Sequence, residues 1–142
     1  MILIDTGVLV ALVNRRDVNH EACREWFLST TVADLAIASP LLSEICYMIA
    51  LRGGPTAEHL FLLDLADGLY GRVIEITQAD LQRMAELVNR YADLPLGGAD
   101  ASIIAIAERL DVREVATIDR RHFTVVRPEH VAHLTLLPHQ LS

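Results

Sequence analysis

The chain has 142 residues, the usual size of one domain, and 52% of them are hydrophobic, so a core can form without disulfides or a structural metal. The net charge of −7 argues against the basic surface of most nucleic-acid binders, unless the acids are concentrated in a metal site. All 12 residues counted as Lys or Arg are arginine, which excludes any chemistry that requires a lysine.

No membrane span or signal peptide is expected. The most apolar window, 35–51, is divided by Pro40 into a strand-like and a helix-like half, and neither half reaches the roughly 20 apolar residues of a span. The first five residues have no basic region and only a short apolar run, unlike a signal peptide. Cys23 and Cys46 match no metal-ligand spacing, so both are expected to be reduced. We therefore expect a cytoplasmic chain with a single domain over 1–142.

The predicted elements alternate short strands with amphipathic helices, which is typical of an α/β domain with a mostly parallel sheet. In the first part of the chain we expect a strand over 2–4 and a helix over 6–13. The next helix should have Asp17 as its N-cap, with Ala22, Trp26 and Phe27 facing inward. A second strand is expected over 35–38. A helix then opens at Ser39-Pro40 and runs to 51. The run 53–55 breaks it and starts another helix to about 69, so these two helices are predicted to form a hairpin.

The remainder of the chain continues the same alternation. We expect a strand over 72–76, a helix from a capping-box pattern at Thr77 and Asp80 to about 91, a loop over 94–98, and a helix over 99–110. The buried side of this last helix is predicted to be Ile103, Ile104, Ile106 and Ala107. Strands over 115–118 and 134–137 complete the sheet, and no internal repeat or linker is present in the sequence.

Four acidic residues fall where these elements would bring them to one edge of the sheet. Asp5 and Asp119 directly follow the predicted first and fourth strands, and α/β sheets bind ligands at the carboxyl ends of their strands. Asp100 lies in the first turn of its helix, where the helix dipole favours an anion. Glu44 interrupts the most apolar window, where an unpaired buried carboxylate would be costly. Each acid alone has a structural explanation, such as capping or turn formation, but together they predict a site.

A cluster of four carboxylates requires a positive charge. Without one, the carboxylates repel one another and raise each other's pKa values. The chain offers no lysine and no histidine at matching positions, and its six histidines form no convincing zinc motif, so a divalent cation is the natural counter-charge. Oxygen ligands suit Mg²⁺ or Mn²⁺, which can activate water and stabilise charge on a phosphodiester.

These residues resemble the PIN-domain family and, within it, the toxin half of VapBC-type toxin–antitoxin pairs. The matching motifs, in chain order, are Ile4-Asp5-Thr6, Ser43-Glu44 after a proline, Gly98-Ala99-Asp100-Ala101-Ser102-Ile103, and Thr117-Ile118-Asp119-Arg120-Arg121-His122-Phe123, which is similar to the family's terminal T-x-D-x-x-F signature. Each motif is weak alone, but the ordered set covers nearly the whole chain.

The resemblance implies a three-layer α/β/α fold with a helical hairpin, and cleavage of RNA by an endoribonuclease that uses Mg²⁺ or Mn²⁺. The catalytic and metal-binding residues would be Asp5, Glu44, Asp100 and Asp119. The hydroxyl of Thr117 would orient the acids, and Thr6 would help at the opening turn. The resemblance also implies a homodimer that is held inactive by a cognate VapB-type antitoxin docked along the hairpin.

Two contact surfaces follow from this resemblance. The RNA-facing residues would be Arg15, Arg16, Arg120 and Arg121, since guanidinium groups pair with phosphate bidentately, although a solvated charge is the simpler explanation for any one of them. The apolar residues predicted to meet the antitoxin are Ile45, Met48, Ile49, Leu60 and Phe61.

Other protein classes also place aspartates at strand ends. A receiver domain and a HAD-type phosphatase both rely on a lysine, and the phosphatase needs a second aspartate where Gly7 stands, so the sequence excludes both. A PIN domain in RNA processing or quality control stays open, as does a catalytically silent PIN module that binds RNA or protein. The short chain favours the toxin, and the presence of all four acids disfavours the silent module. The sequence does not identify which RNA is cut.

Overall fold

The computed structural model describes residues 1–141, so Ser142 of the predicted domain lies outside the described residues. The strands are β1 (Ile2–Ile4), β2 (Leu35–Ala38), β3 (Arg72–Ile74), β4 (Glu114–Ala116) and β5 (Thr135–Leu137). The helices are α1 (Thr6–Val13), α2 (His20–Leu28), α3 (Leu42–Ala66), α4 (Gln78–Arg90), α5 (Gly98–Leu110) and α6 (Arg121–Val125). None of the helices within residues 1–141 combines the length and apolar character needed to cross a membrane.

The five strands form one parallel sheet in the order β3-β2-β1-β4-β5. The chain fills one half of the sheet with β1, β2 and β3 and then crosses to the other half. Because crossovers between parallel strands are right-handed, this reversal places α1 to α3 on one face and α4 and α5 on the other. Accordingly, α1 packs against α2 and α3, while α4 packs against α5. The fold is therefore the predicted three-layer α/β/α arrangement, and its strand order reverses between β1 and β4.

The core lies around the central strands. Every residue of β1 and β2 is apolar and buried, which is expected for strands that are covered by helices on both faces. Ile103, Ile104, Ile106 and Ala107 of α5 are all fully buried, as predicted. Burial of each large aliphatic side chain contributes about 2 kcal/mol to folding, so this layer holds α5 firmly against the sheet.

Side-chain caps mark the starts of α1 and α4, and the start predicted for α2 needs a correction. The capping box of α4 is confirmed, since the Thr77 hydroxyl accepts from the Asp80 backbone N–H at 3.1 Å and the Asp80 carboxylate accepts from the Thr77 N–H at 3.0 Å. The N-cap of α2 is Asn19, not Asp17, whose carboxylate accepts from the Asn19 N–H at 2.9 Å in the preceding turn. The buried residue of α2 is Cys23, while the predicted inward-facing side chains are only partly buried.

The predicted break at 53–55 appears as a kink inside α3. Gly54 has φ 82° and ψ 178°, a conformation that favours glycine, and Pro55 follows where the second half of the helix begins. The helix starts at Leu42, after a 3₁₀ turn over Ser39–Leu41, and ends at Ala66. β3 and β4 end two residues earlier than predicted, and the short helix α6 was not predicted.

Candidate active site

The crevice between β1 and β4 opens into a cleft of about 440 Å³ at the carboxyl ends of the strands. All four acids singled out in the sequence line it, together with Thr6 and His122. The four acids are Asp5, Glu44, Asp100 and Asp119. The fold therefore brings together carboxylates from four separate segments of the chain.

Asp5 is the best-anchored acid of the cleft. Its backbone N–H donates to the Ala116 carbonyl at 2.8 Å, which extends the pairing of β1 with β4 by one residue. As the N-cap of α1, its Oδ1 accepts from the Thr6 N–H at 2.8 Å. Its Oδ2 accepts from the Thr117 hydroxyl, also at 2.8 Å. The carboxylate is consequently fixed in place, with the residue only 9% exposed.

The electrostatics of the cleft are set by burial and by negative charge. Burial raises the pKa of Asp5 from 3.8 to about 6, against the opposing effect of the Thr117 hydrogen bond. The charge of Asp100 raises this pKa further, the Thr6 N–H lowers it, and the charge of Glu44 raises it again. Burial and the neighbouring carboxylates thus disfavour the ionised form of Asp5, which is the condition that a bound cation relieves.

Glu44 and Asp100 occupy the same position in two different helices. Each is the third residue of its helix, α3 or α5, where the positive end of the helix dipole stabilises an anion. Glu44 is exposed although it interrupts an apolar run, because its neighbour Ile45 turns toward the core and Glu44 turns away. Its Oε2 accepts a long hydrogen bond of 3.5 Å from the Thr6 hydroxyl.

Thr117 connects Asp5 to the turn that carries Asp119. β4 ends at Ala116, so Asp119 lies three residues beyond the strand and is exposed. The fully buried Thr117 hydroxyl lies 2.8 Å from Asp5 Oδ2 and 3.0 Å from the Asp119 carbonyl oxygen. A hydroxyl has one proton, so it donates to one of these acceptors at a time. The hydroxyl of Thr117 therefore lies between the side chain of Asp5 and the backbone of the Asp119 turn, and its role in orienting the acids stays a prediction.

His122 is a cleft residue that the sequence reasoning did not include in the site. It lies in α6, and its Nδ1 contacts Oδ2 of Asp100. An ionised carboxylate only accepts hydrogen bonds, so Nδ1 is the donor. The histidines were considered only as zinc ligands. The signal in the sequence was the position of His122 three residues after Asp119. This position indicates the site only when the helix α6 is also predicted.

The donor set fits a hard divalent cation held partly through water. Within residues 1–141, no three side chains of His, Cys, Asp or Glu come close enough together to hold a metal ion by themselves. Mg²⁺ does not need such a cage, because proteins usually hold it with one or two carboxylates, several waters and the phosphate of the substrate. The carboxylates of the cleft suit that mode of binding, whereas a structural zinc site would need four protein ligands rich in cysteine and histidine.

The four arginines predicted to contact RNA have different surroundings. The guanidinium of Arg120 donates to the carbonyls of Thr117 and Pro138, so it holds the C-terminal segment against the turn after β4 and uses two of its five N–H donors there. Contact of Arg120 with RNA stays a prediction. The other three arginines are exposed: Arg15, Arg16 and Arg121.

Three of the five side chains predicted to meet an antitoxin belong to the core. Ile45, Ile49 and Phe61 are at most 2% exposed, because this side of α3 packs against the rest of the domain. They present no surface to a partner, which corrects that part of the prediction. Met48 is half-buried beside the cleft, and Leu60 is 54% exposed. The exposed apolar residues of α3 are Tyr47, Leu51, Leu60, Leu62 and Leu63.

A five-stranded parallel sheet with acids at its central crevice is the arrangement expected of a PIN domain. The family model for the PIN domain matches residues 2–127, and the chain belongs to this family. It is 34% identical over 137 residues to Ribonuclease VapC26 of Mycobacterium tuberculosis (strain ATCC 25618 / H37Rv), a match that covers 96% of this chain and 99% of that protein.

Two solved structures have similar folds. Mycobacterium tuberculosis VapC20, described as a Sarcin-Ricin loop cleaving toxin, matches with a TM-score of 0.77 and 18% identity over 84% of this chain and 91% of that chain. A chain of a toxin-antitoxin complex from Klebsiella pneumoniae matches with a TM-score of 0.64 and 21% identity over 92% of this chain and 100% of that chain. At these identities the likeness establishes the fold.

Proposed function

We propose that this chain is a metal-dependent endoribonuclease, the toxin of a VapBC-type toxin–antitoxin pair, that hydrolyses phosphodiester bonds of RNA. The observation that carries the proposal is the cleft at the β1–β4 crevice, which four carboxylates from distant segments line and in which burial, with the charges of Asp100 and Glu44, raises the pKa of Asp5. The identity of 34% to a ribonuclease, over nearly the full length of both chains, supports RNA as the substrate.

The residues that would hold Mg²⁺ or Mn²⁺ are Asp5, Glu44, Asp100 and Asp119. When bound, the metal provides a water nucleophile at neutral pH and neutralises charge that develops on the phosphate. The chain itself orients the acids: Thr117 and the Thr6 N–H fix Asp5, and His122 fixes Asp100. The helices α1, α3 and α5 begin at the cleft, so their backbone N–H ends favour an anionic substrate there.

The partners of such a toxin would be an antitoxin and a second copy of the chain. The toxin itself would be a single-domain protein of the cytoplasm. The exposed apolar side chains of α3 are the strongest candidate for these contacts, since clusters of this kind mark interaction surfaces. The similar Klebsiella structure is itself a toxin-antitoxin complex, which supports an antitoxin partner.

The test is cleavage of total cellular RNA by the purified protein with Mg²⁺, with Mn²⁺ and with EDTA. We expect discrete fragments that require metal and disappear in Asp5→Asn, with fragment ends that identify the RNA. The matched control is Glu86→Gln, which neutralises an exposed acid paired with Arg83, away from the cleft. Absence of cleavage by folded protein free of antitoxin would reject the nuclease and favour a silent binding module.

A further inference from the structure

A second pocket, of about 420 Å³, opens beside the acid cleft. The two hollows share Gly7, Met48 and Ile118 as a common wall. The second pocket is also lined by Arg16 and Arg52, which do not line the acid cleft. The two adjacent hollows together form a groove, in which the acid cleft carries four carboxylates and the second pocket carries two guanidinium groups.

Arg52 has hydrogen-bonding capacity that the fold does not use. Its side chain is 45% exposed, and its ion pair is a single long contact from Nη1 to Asp17 Oδ2 at 3.5 Å. Arg83 and Arg109, in contrast, bind two or more acceptors each in the network between α4 and α5. A guanidinium group has five N–H donors, so Arg52 retains donors for the oxygens of a bound anion.

The charged groups that line this pocket favour a bound anion, although the total charge of the chain is negative. The pocket is lined by two arginines and one acid, Asp17, which gives a local charge of +1. Asp17 Oδ1 accepts from the Asn19 N–H at 2.9 Å, so this acid is anchored in the turn and holds Arg52 at the pocket wall. The side chain of Arg16 is exposed and makes no ion pair within residues 1–141.

We propose that this arginine-lined pocket binds the RNA nucleotide next to the scissile phosphate, with Arg52 pairing with its phosphate group. The inference rests on the proposed function, because a strand cut at the acids has to continue along the surface beside them. The partly buried Met48 and Ile118 provide an apolar wall for the sugar or base. An acidic protein segment is the weaker alternative, since it would have no cleavable group to place at the acids.

Arg113 provides the matched control for Arg52. It makes one ion pair of the same length, 3.5 Å to Asp111, and its side chain is 67% exposed. It precedes the first residue of β4, so it lies at the opposite edge of the sheet from the cleft. Arg52→Gln and Arg113→Gln thus remove the same charge and the same type of contact, and equal melting temperatures of the two variants would show equal folding.

The experiment measures binding of a labelled single-stranded RNA pool in Mg²⁺ at several salt concentrations, in an Asp5→Asn background that prevents cleavage. We expect Arg52→Gln to weaken binding about tenfold, since charge-assisted hydrogen bonds are lost. The slope of log affinity against log salt should fall by about 0.7, the value for one phosphate contact on a single strand. Arg113→Gln should leave both values unchanged, and Arg52→Lys should restore the slope.

The same variants in the active chain separate this inference from the proposed function. Active protein with Arg52→Gln should show a raised KM and a nearly unchanged kcat, while Arg113→Gln behaves as the unmodified chain. If the unmodified chain cleaves RNA but the two variants have the same KM and salt slope, the pocket assignment is wrong and the nuclease stands. If Arg52→Gln weakens binding of polyglutamate but not of RNA, the occupant is an acidic protein segment. If the unmodified chain cleaves no RNA, both proposals are rejected.

Discussion

Two regions of the molecule concentrate acidic side chains, and the fold holds them in opposite ways. Between α4 and α5, Arg83 Nε lies 2.7 Å from Glu108 Oε1, and Arg109 Nη2 lies 3.0 Å from Asp80 Oδ2. In the cleft, the described partners of the acids are hydroxyl groups, a backbone N–H and His122. The first region is therefore neutralised by the protein itself, and the second is left to be neutralised by a ligand.

The two buried aspartates of these regions show the consequence. Burial alone would raise the pKa of Asp80, but the hydrogen bonds and charge of Arg109 and the Thr77 N–H bring it below its usual range. The pKa of Asp5 is instead raised to about 6. An aspartate thus stabilises the fold where it is paired with an arginine, whereas the ionised form of an aspartate opposes folding where it is buried beside other acids.

The largest expected effect concerns activity. Asp100→Asn and Glu44→Gln should each lower kcat/KM for RNA cleavage at least about 100-fold, because metal catalysis contributes several kcal/mol of charge stabilisation that depends on these acids. Neutralisation of the exposed Glu86, between α4 and α5, should leave the rate unchanged. Initial rates on an oligonucleotide made from the mapped cleavage site measure this. Equal rates in all three variants would place the catalytic acids elsewhere.

Next in size is the effect of Asp5→Asn on stability. The raised pKa of Asp5 means that the folded state retains a proton that the unfolded state loses, so stability falls as pH rises from 3.8 through 6. Without metal, the asparagine variant should be more stable than the unmodified chain by about 3 kcal/mol at pH 7.5, and the gain should shrink as pH falls toward 3.8. Asparagine also fits the site, since its amide can donate to Thr117 while its oxygen accepts from Thr6.

Urea unfolding in EDTA at several pH values measures this difference, and the same titration in Mg²⁺ provides the control. A cation bound by the folded state should stabilise the unmodified chain and not the variant. A variant that is less stable at pH 7.5 in EDTA would show that Asp5 is a structural residue.

Asp80→Asn should change the free energy of unfolding in the opposite direction to Asp5→Asn and by a somewhat smaller amount. Loss of the carboxylate leaves Arg109 with a weaker partner, and we expect a loss of about 2 kcal/mol, since the guanidinium is partly exposed. Because the folded pKa of Asp80 is lowered, its stabilisation is present above the unfolded pKa and is lost as pH falls through the folded value. Urea unfolding at neutral pH measures it, while RNA cleavage should not change. If Asp5→Asn and Asp80→Asn both raised or both lowered the stability, the distinction between the two regions would be wrong.

The smallest expected effect concerns His122. Its Nδ1 orients Asp100, and loss of a group that orients a metal ligand typically lowers activity tenfold or more, so His122→Ala should lower kcat about tenfold. His122→Asn places an amide donor near the same position and should retain most of the rate. If both variants cleave as fast as the unmodified chain, the contact has no part in orienting the site. If both fail equally, the imidazole has a role beyond this hydrogen bond.

The sequence by itself determined the local features of this protein. The apolar runs that became β1 and β2, the capping box at Thr77 and Asp80, and the glycine break inside α3 all rest on residue types within a few positions of one another. Such signals are readable because hydrogen bonding and backbone preference act over a few residues. The acids could also be placed at one sheet edge, because parallel strands end at the same side.

Only the tertiary structure decided which side chains of α3 are buried and which distant side chains meet. Glu44 is exposed within an apolar run, while Ile45, Ile49 and Phe61 of the same helix are in the core. The Thr117–Asp5 bond joins residues 112 positions apart, and Arg52 reaches the groove beside the acids only through the packing of α3 on α1. The physical reason is that the face a helix turns inward, and the neighbours it meets there, depend on elements far away in the chain.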